Sequence, residues 1–422
     1  MIAPTTDNMS AVRRHLARRI SSPEESIRTR LIELAATLPN VIAMGRGDPD
    51  LPTPPHIVQA AKDALDRGAT HYTHPAGDPK LRQAIARHIE DSIGVGYDPE
   101  SEIIVTTGAQ EAVYIAMLTL LEERDEVLLP THRFTSYDMA VELCGGAVKT
   151  YATVTDDNLY SLSADEIRRQ LTPRSTMLSV VSPDNPTGGV ASPEEITAVA
   201  ALTKEAGLLV MSDEIYSKFV YDGRKHMSIV AQPAMRERSL LVNGLSKCYA
   251  MTGWRVGYLA GPADYMRSII EIKHTLTICT PAVSQAAALA ALEGPQDVIE
   301  QMRQTYDERR QDLLAALADM GLPYVHPAGA FYVYVDISPT GMSSPDFCLQ
   351  LLKDTGVLIL PGTMFGSEGE RFIRMSLLAP RAQIVEAAER METVITRYRE
   401  QAGECESLEP GSRTSRPGDS GS

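Results

Sequence analysis

Short apolar runs alternate with helix-like segments along the first two thirds of the chain. The runs cover residues 103–105, 127–129, 177–181, 208–211, 240–242 and 256–259. Each run is apolar at successive positions, which is typical of strands in a sheet that is covered on both faces. Between two of them, Ser192 and Gly207 stand where the N-cap and C-cap of a helix are expected. The alternation predicts an α/β fold with a mostly parallel, doubly wound sheet.

The pattern changes after about residue 295. A long charged helix, passing through Met302 to Met320, precedes strands predicted at 324–325, 331–335, 357–360 and 371–375. A further helix begins at Ser344, and a last helix runs to about Arg399. This order predicts a second, smaller α+β domain. We expect a loose N-terminus over 1–14, an arm over 15–48 that joins the small domain, a large domain over 49–294, the small domain over 295–400 and a disordered tail over 401–422.

The net charge and the cysteine content argue against some classes of ligand, namely nucleic acids and metal ions. The 422 residues carry a net charge of −15, which argues against non-specific binding to nucleic acid because that needs a basic face. The five cysteines lack metal-ligand spacing, so we expect reduced thiols, a cytoplasmic protein and no metal site. No apolar run approaches the roughly 20 residues that cross a membrane, and no apolar region of a signal peptide follows the N-terminal arginines. Small-molecule ligands are therefore expected.

Polar side chains follow the predicted strands at the points where those strands end. The set consists of Asn185, Asp213, Tyr216, Lys247 and Arg255. Because ligands of open α/β sheets bind beyond the carboxyl ends of the strands, we expect these residues to converge. Together they are the groups needed to hold pyridoxal phosphate (PLP) as a Schiff base and to use it as an electron sink. The large domain is therefore predicted to bind PLP.

A second signal favours a phosphate site. Gly108 follows the run 103–105 and permits a tight turn, and the small Ala109 permits close approach of a ligand. The free N–H groups of Ala109 and Gln110 would then begin a helix, which makes an anion site. Ser246 and Arg255 add a hydroxyl group and a guanidinium group suited to a phosphate dianion.

Each remaining polar group has an expected role. The Asp213 carboxylate would pair with the protonated pyridine nitrogen, while Tyr216 and Asn185 would hydrogen-bond the ring oxygen. Lys247 would form the Schiff base and then move a proton between the substrate Cα and the cofactor. Arg374 lies in an apolar strand and needs an anionic partner, which is either a substrate α-carboxylate or an internal carboxylate.

Over roughly residues 15–400 the chain resembles class I aminotransferases, which are fold-type I PLP enzymes. The resemblance rests on Gly47-Asp48-Pro49-Asp50, Tyr72-Thr73-His74-Pro75-Ala76-Gly77, Asn185-Pro186-Thr187-Gly188, Ser212-Asp213-Glu214-Ile215-Tyr216, Ser246-Lys247, Gly253-Trp254-Arg255 and Arg374. It implies the cofactor roles given above, and it implies that Arg374 and the backbone N–H of Gly47 bind the substrate α-carboxylate. It also implies that Tyr72 reaches the cofactor phosphate of a neighbouring subunit, and hence a homodimer with shared active sites.

The chain departs from the family pattern near the expected substrate position. Phe134 stands where Tyr or Trp usually stacks on the cofactor ring, and Asp48 stands where Glu is common. The loop before Phe134 has gained a histidine and Arg133, and Arg46 precedes Gly47. Arg46 and Arg133 are expected either to reach substrate or to be exposed charges. These changes put the substrate preference in doubt.

The function that these residues predict is transamination between an L-amino acid and a 2-oxo acid by a ping-pong mechanism. The same groups also support β- or γ-elimination, replacement or cyclisation, as in aminocyclopropane-carboxylate synthases, and this alternative stays open. A non-catalytic PLP-binding regulator is a third possibility. The acidic charge and the absence of an N-terminal segment of helix-turn-helix size disfavour it.

Overall fold

The computed structural model describes residues 26–407. The predicted loose N-terminus, the start of the arm and residues 408–422 of the predicted tail lie outside the described residues. The last helix ends at Ser407 rather than near Arg399, so the first seven residues of the predicted tail are helical. Glu, Gln and Ala residues continue that helix, and their helix propensity does not depend on the apolar periodicity on which the prediction relied.

The elements follow the predicted alternation. The helices are α1 (Ile27–Thr37), α2 (Pro55–Asp66), α3 (Pro79–Ile93), α4 (Ala109–Leu120), α5 (Ser136–Leu143), α6 (Ala164–Gln170), α7 (Pro193–Ala206), α8 (Ala263–Thr277), α9 (Ala282–Glu293), α10 (Asp297–Asp319), α11 (Ser344–Thr355) and α12 (Arg381–Ser407). The strands are β1 (Ile42–Ala43), β2 (Ile103–Thr106), β3 (Glu126–Pro130), β4 (Ala147–Tyr151), β5 (Ser175–Val181), β6 (Leu209–Asp213), β7 (Ser239–Gly244), β8 (Gly257–Ala260), β9 (Tyr324–Val325), β10 (Tyr332–Asp336), β11 (Val357–Leu358), β12 (Leu360–Pro361) and β13 (Phe372–Ser376).

A seven-stranded sheet with the order β2-β8-β7-β6-β5-β3-β4 forms the centre of the fold. Strands β3 to β7 pair in parallel, and β8 is antiparallel to both of its neighbours, so the prediction of a mostly parallel sheet is confirmed. Because β8 runs backwards, the residue Arg255 just before it lies at the same edge as the carboxyl ends of the parallel strands. Edge strand β4 was not predicted, since Lys149 and Thr150 interrupt its apolar character.

Both faces of this sheet are covered, as the apolar runs indicated. Successive residues of a strand enter different cores: Leu128 packs in one buried cluster, while Val127 and Leu129 pack in another. The capping residues predicted for α7 are also present, with Ser192 in a capping box and Gly207 in the left-handed conformation.

A four-stranded antiparallel sheet, β12-β13-β10-β9, lies in the C-terminal part of the chain. The strand predicted at 357–360 is in fact two short strands in different sheets. Strand β11 pairs in parallel with β1, and β12 pairs with β13, so the chain changes sheets at Ile359. Leu31 and Ile42 of the N-terminal arm share a buried cluster with Ile373 and other C-terminal residues. This packing and the pairing of β1 with β11 anchor the N-terminal arm on the C-terminal part of the chain.

Candidate active site

A cavity of about 620 Å³ opens at the carboxyl edge of the central sheet. It is lined by most of the residues singled out in the sequence: Gly47, Ala109, Gln110, Phe134, Asn185, Asp213, Tyr216, Ser246, Lys247, Arg255 and Arg374. Gly108 lies directly behind Arg255, and Tyr72 is outside the lining and 80% exposed. Residues that are far apart in the sequence therefore meet at one site, as the strand-end argument predicted.

Lys247 follows β7 and reaches across the cavity to the N-terminal arm. Its Nζ donates a hydrogen bond to the backbone carbonyl of Gly47 at 2.5 Å. A Cβ at Gly47 would stand 2.9 Å from the hydroxyl of Tyr332, so the arm approaches this closely only because residue 47 is glycine. The amine is thus held in the cavity by an acceptor that an incoming ligand can replace.

Asp213 is the last residue of β6, and its carboxylate lines the cavity. Each carboxylate oxygen accepts one hydrogen bond. Its Oδ2 accepts a hydrogen bond from the Tyr137 hydroxyl at 2.5 Å, and its Oδ1 accepts one from the backbone N–H of Ile215 at 3.1 Å. Burial raises the pKa of Asp213, and the Tyr137 hydrogen bond opposes that rise. Tyr137 was not predicted, and it holds the carboxylate in a fixed orientation.

The phosphate-site prediction is consistent with the geometry around Gly108. Gly108 has φ +79°, and a Cβ there would stand 2.5 Å from Nη2 of Arg255. The guanidinium of Arg255 therefore packs against the backbone at the start of α4, where no side chain caps the first turn. That turn leaves N–H groups available to an anion. Ser246 is buried on the same cavity wall.

A buried ion pair stabilises the turn between β2 and α4. Nζ of Lys273, fully buried on α8, lies 2.9 Å from a carboxylate oxygen of Glu111 on α4. The same oxygen accepts the backbone N–H of Thr107 at 2.5 Å. Sequence reasoning missed both charged residues because their pairing joins positions 162 apart. They fix the turn that carries Gly108.

Arg374 on β13 is enclosed by aromatic rings rather than by acids. Its guanidinium carbon lies 4.1 Å from the ring centre of Tyr332 and 4.5 Å from that of Phe365. It donates to Oδ1 of Asn185 at 2.8 Å and to the carbonyl of Gly45 at 2.9 Å, and its buried Nε has no partner. Among residues 26–407 it forms no salt bridge, so the internal ion pair is not the explanation for its burial. Burial lowers the pKa of Arg374.

Asn185 and Tyr216 take defined orientations at the cavity floor. Because Oδ1 of Asn185 accepts from Arg374, its amide N–H groups remain available to a ligand. The Tyr216 hydroxyl lies 3.1 Å from the Tyr332 hydroxyl, and burial raises the pKa of Tyr216 well above its usual value. Both side chains therefore line the cavity with hydrogen-bonding groups, and Asn185 retains free donors there.

The turn that carries Asn185 is fixed by a buried acid. Asp184 is 1% exposed, and its Oδ2 accepts the backbone N–H of Thr187 at 3.1 Å and the hydroxyl of the same residue. Burial raises the pKa of Asp184 from 3.8 to about 7, and the Thr187 hydrogen bonds oppose this. A carboxyl group with this pKa is protonated over part of the physiological range.

This shift predicts a pH-dependent effect of Asp184→Asn on stability. Between about pH 4 and pH 7 the folded protein holds a proton at Asp184 that the unfolded chain has lost. That contribution to stability is complete below the unfolded pKa and is lost as pH rises through the folded pKa. Asparagine does not titrate. Relative to wild type, the free energy of unfolding of the variant should therefore rise by on the order of 3 kcal/mol between pH 4 and pH 8.

Urea titration of both proteins at several pH values measures this difference. Asp91→Asn, on the exposed surface of α3, is the matched control and should show no such trend. A difference between Asp184→Asn and wild type that stays constant with pH would show that Asp184 does not titrate in this range.

Arg133 is largely buried, so the expectation that it is an exposed charge is wrong; it lines the cavity, but its guanidinium is already paired within the chain. Its guanidinium forms a two-point ion pair with Asp138 and donates to the carbonyls of Pro130 and Thr131 at 3.1 and 2.9 Å. The neighbouring His132 is buried against Tyr334 and Phe372, and burial lowers its pKa to about 4. These contacts fix the conformation of the loop, which places Phe134 in the cavity lining. Arg46, in contrast, is exposed and lines the cavity.

Two other kinds of feature are lacking among residues 26–407. None of the helices there is both long enough and apolar enough to cross a membrane. No grouping of His, Cys, Asp and Glu suited to holding a metal ion occurs in the same part of the chain.

Comparisons with known proteins agree on one family. A family model for aminotransferases of class I and II matches residues 39–391. The chain is 38% identical to aromatic-amino-acid aminotransferase 2 of Thermococcus litoralis over 371 residues, which are 87% of this chain and 94% of that protein. It is 39% identical to aspartate aminotransferase of Pyrococcus abyssi over the same length, with the same coverage. The crystal structure of the aromatic aminotransferase from Pyrococcus horikoshii OT3 superposes with a TM-score of 0.83 at 38% identity, covering 87% of this chain and 99% of that one.

Proposed function

The chain belongs to the class I and II aminotransferase family, and from this premise we propose that it transfers the amino group of an L-amino acid to a 2-oxo acid with PLP as cofactor, by a ping-pong mechanism. One observation carries the proposal. A lysine amine, a half-buried carboxylate and a guanidinium without a carboxylate partner among residues 26–407 line the same cavity, as Lys247, Asp213 and Arg374. These are the groups that PLP chemistry on an amino acid requires.

The described residues fit PLP at each of its polar ends. Arg255, Ser246 and the first turn of α4 would hold the phosphate, and the backbone at Gly108 leaves room for no side chain there. Asp213 would face the pyridine nitrogen, and Lys247 would form the covalent link to the aldehyde. Asn185 and Tyr216 would donate to the ring oxygen. When bound, PLP supplies an electron sink for the negative charge that develops on the substrate Cα.

Lys247 is proposed to act also as the proton carrier. Its Nζ is hydrogen-bonded only to a backbone carbonyl, that of Gly47, and it forms no salt bridge within the described part of the chain. An amine that is not committed to a carboxylate can lose its proton and then accept one from the substrate Cα. Release from the Gly47 carbonyl would free it to move between the two carbon atoms that exchange the proton.

Arg374 is proposed to bind the substrate α-carboxylate. A buried guanidinium surrounded by rings has lost much of its hydration, so two parallel hydrogen bonds to a carboxylate would be strong there. The bond from Arg374 to the Gly45 carbonyl can be exchanged for such a contact, and the backbone N–H of Gly47 would contribute to the same carboxylate.

We further propose a homodimer with shared active sites in the cytoplasm. Support for the homodimer comes from the Tyr72 ring, which is 80% exposed and is the kind of surface that a second subunit would cover. Tyr72 would then reach the cofactor phosphate of the neighbouring subunit. Cys144, Cys248, Cys279 and Cys348 are free, which is consistent with a reducing compartment.

Elimination, replacement or cyclisation chemistry on the same groups is not favoured. The matching family model and the relatives described above are all aminotransferases. Their names make aromatic and acidic amino acids the first candidates for the donor in this chain.

Absorbance spectroscopy on the purified protein tests the proposal. An L-amino acid added alone should remove the visible band of the bound cofactor, and a 2-oxo acid added afterwards should restore it. Release of ammonia, or repeated turnover without any 2-oxo acid, would instead identify elimination chemistry and overturn the proposal.

A further inference from the structure

We propose that Arg309 is a positioning residue for the reaction: through its ion pair with Asp50 it holds residues 45–47 of the N-terminal arm where they receive the substrate α-carboxylate. This role rests on the proposed function, and it adds to that function a residue outside the cavity. Arg309 lies on α10 and does not line the cavity. It acts on the substrate only through the arm.

Arg309 joins the arm to the C-terminal part of the chain by a two-point ion pair. Its Nη1 and Nη2 donate to Oδ1 and Oδ2 of Asp50 at 2.8 and 3.0 Å, and Nη1 also donates to the carbonyl of Leu377 at 2.9 Å. Arg309 is 6% exposed, and the Asp50 side chain is 19% exposed. A planar guanidinium that meets a carboxylate in this geometry fixes its direction as well as its distance.

The ion pair closes a loop of the arm against the strand that carries Arg374. The carbonyl of Met44 accepts the backbone N–H of Ser376 at 2.7 Å, which ties the start of the loop to β13. Arg309 ties the end of the loop to the residue after Ser376. Both ends of the loop are therefore held by adjacent positions of one strand end, with residues 45–47 between them.

The contacts inside this loop would be given up when ligands bind. The carbonyls of Gly45 and Gly47 accept from Arg374 and Lys247 at 2.9 and 2.5 Å, and the proposed function needs both donors for other bonds. The contacts at the two ends of the loop involve no group that binds a ligand. The Arg309 ion pair would therefore keep the backbone N–H of Gly47 directed at the α-carboxylate.

The adjacent arginine provides a matched control, with similar contacts to different partners. Arg310 donates to both carboxylate oxygens of Asp222 at 3.1 and 2.6 Å and to the carbonyl of Pro327 at 3.2 Å, and it also pairs with Asp307 on its own helix. It is 3% exposed. None of these partners belongs to the arm, so the loss of Arg310 breaks a buried ion pair without releasing residues 45–47.

Selectivity for the α-carboxylate tests the role of Arg309 in the holoenzyme. The probes are L-phenylalanine and 2-phenylethylamine, which differ only in that group, with L-glutamate and 4-aminobutanoate as a second pair. We expect kcat/KM for the amino acid over the amine to exceed about 10³ in the wild type. Arg309→Gln should lower this ratio by about 10- to 100-fold, because a displaced arm no longer orients the carboxylate.

The loss should be divided unequally between the two kinetic constants. The KM of the amino acid should rise, and kcat should stay within about threefold of wild type, because residues 45–47 bind the carboxylate and carry no proton. Arg310→Gln should lose stability to a similar extent but keep the wild-type ratio. Because each ratio is taken within one protein, a general loss of activity or of bound cofactor cancels.

A second variant removes the same ion pair from the side of the arm. Asp50→Asn changes a more exposed side chain, so it keeps the test open if Arg309→Gln does not fold. It should lower the ratio as Arg309→Gln does. The double variant should be no worse than either single variant, since the two residues act as one unit.

Hydrogen exchange followed by mass spectrometry gives a readout that does not depend on turnover. In the holoenzyme without substrate, the peptide covering residues 42–50 should exchange about tenfold faster in Arg309→Gln and Asp50→Asn than in wild type. In Arg310→Gln the same peptide should exchange at the wild-type rate.

Two results would overturn the role of Arg309. One is a selectivity ratio that is unchanged in both Arg309→Gln and Asp50→Asn, and the other is a ratio that falls equally in Arg310→Gln. In both cases an L-amino acid would still remove the cofactor band of the wild type reversibly, which separates failure of this role from failure of the aminotransferase proposal. Loss of the reversible band change with every donor would overturn both.

Discussion

Replacing Lys247 by alanine should lower kcat by at least about 10⁴-fold, because one substitution removes both the covalent attachment and the proton carrier. The amine is the group that donates to the Gly47 carbonyl in the cavity, and alanine leaves no titratable atom at that position. Arg255, Ser246 and Asp213 remain in place, so the variant should still bind PLP without the covalent link. Stopped-flow absorbance with a saturating amino acid measures the rate of the first half-reaction directly.

The adjacent residue provides a matched control. Cys248 is 7% exposed, donates to the Gly244 carbonyl at 3.8 Å and has a pKa that burial raises to about 12, so it has no thiolate to contribute at neutral pH. Cys248→Ala should keep kcat within about threefold of wild type, since it removes only one buried sulfur. A Lys247→Ala enzyme that retained a hundredth of the wild-type rate would show that another group carries the proton.

Replacing Asp213 by asparagine should lower kcat by about 10³-fold while leaving the shape of the site intact. The carboxylate is the negative charge that would keep the pyridine nitrogen protonated, and a neutral amide cannot do so. The single amide oxygen of asparagine can still accept from the backbone N–H of Ile215, while its NH2 group can donate to the oxygen of the Tyr137 hydroxyl. The loss should therefore appear in kcat more than in the affinity for the amino acid.

Two further variants distinguish charge from geometry at Asp213. Tyr137→Phe leaves the carboxylate but removes one of its hydrogen bonds, so we expect a loss of about tenfold, well short of that for Asp213→Asn. Asp91→Asn removes an exposed carboxylate on α3 and should have no effect. If Asp213→Asn and Tyr137→Phe were equally active, the charge at position 213 would not be the property that matters.

The fold and most of the site could be predicted because both depend on local patterns. A buried parallel strand is apolar on both faces, and the residue that follows it is placed at the ligand-binding edge whatever its partners are. Asp213 and Lys247 were found in this way, since each comes at or just after the end of a strand. Arg374 was found because a charge inside an apolar strand needs an explanation.

Partners that are distant in the sequence could not be predicted by this reasoning. Tyr137 meets Asp213 across 76 positions, and nothing near either residue specifies the other. The ion pair of Arg133 with Asp138 joins residues only five positions apart, but it depends on how the chain turns into α5, which the sequence pattern did not indicate. The change of sheet at Ile359 was hidden because the apolar character continues through both short strands.

The hydrogen bonds of the arm make ligand binding an exchange rather than an addition. In the described chain the Lys247 amine and the Arg374 guanidinium already have acceptors, the carbonyls of Gly47 and Gly45. The covalent link from Lys247 to the cofactor would release the Gly47 carbonyl, and binding of the substrate α-carboxylate by Arg374 would release the Gly45 carbonyl. The net affinity in each step is the difference between the bonds formed and the bonds given up. A ligand that engages only one of the two side chains would release only one of the two carbonyls. Residues 45–47 of the arm would therefore be held less tightly once cofactor and substrate are both bound, because both of their carbonyl contacts would have been given up.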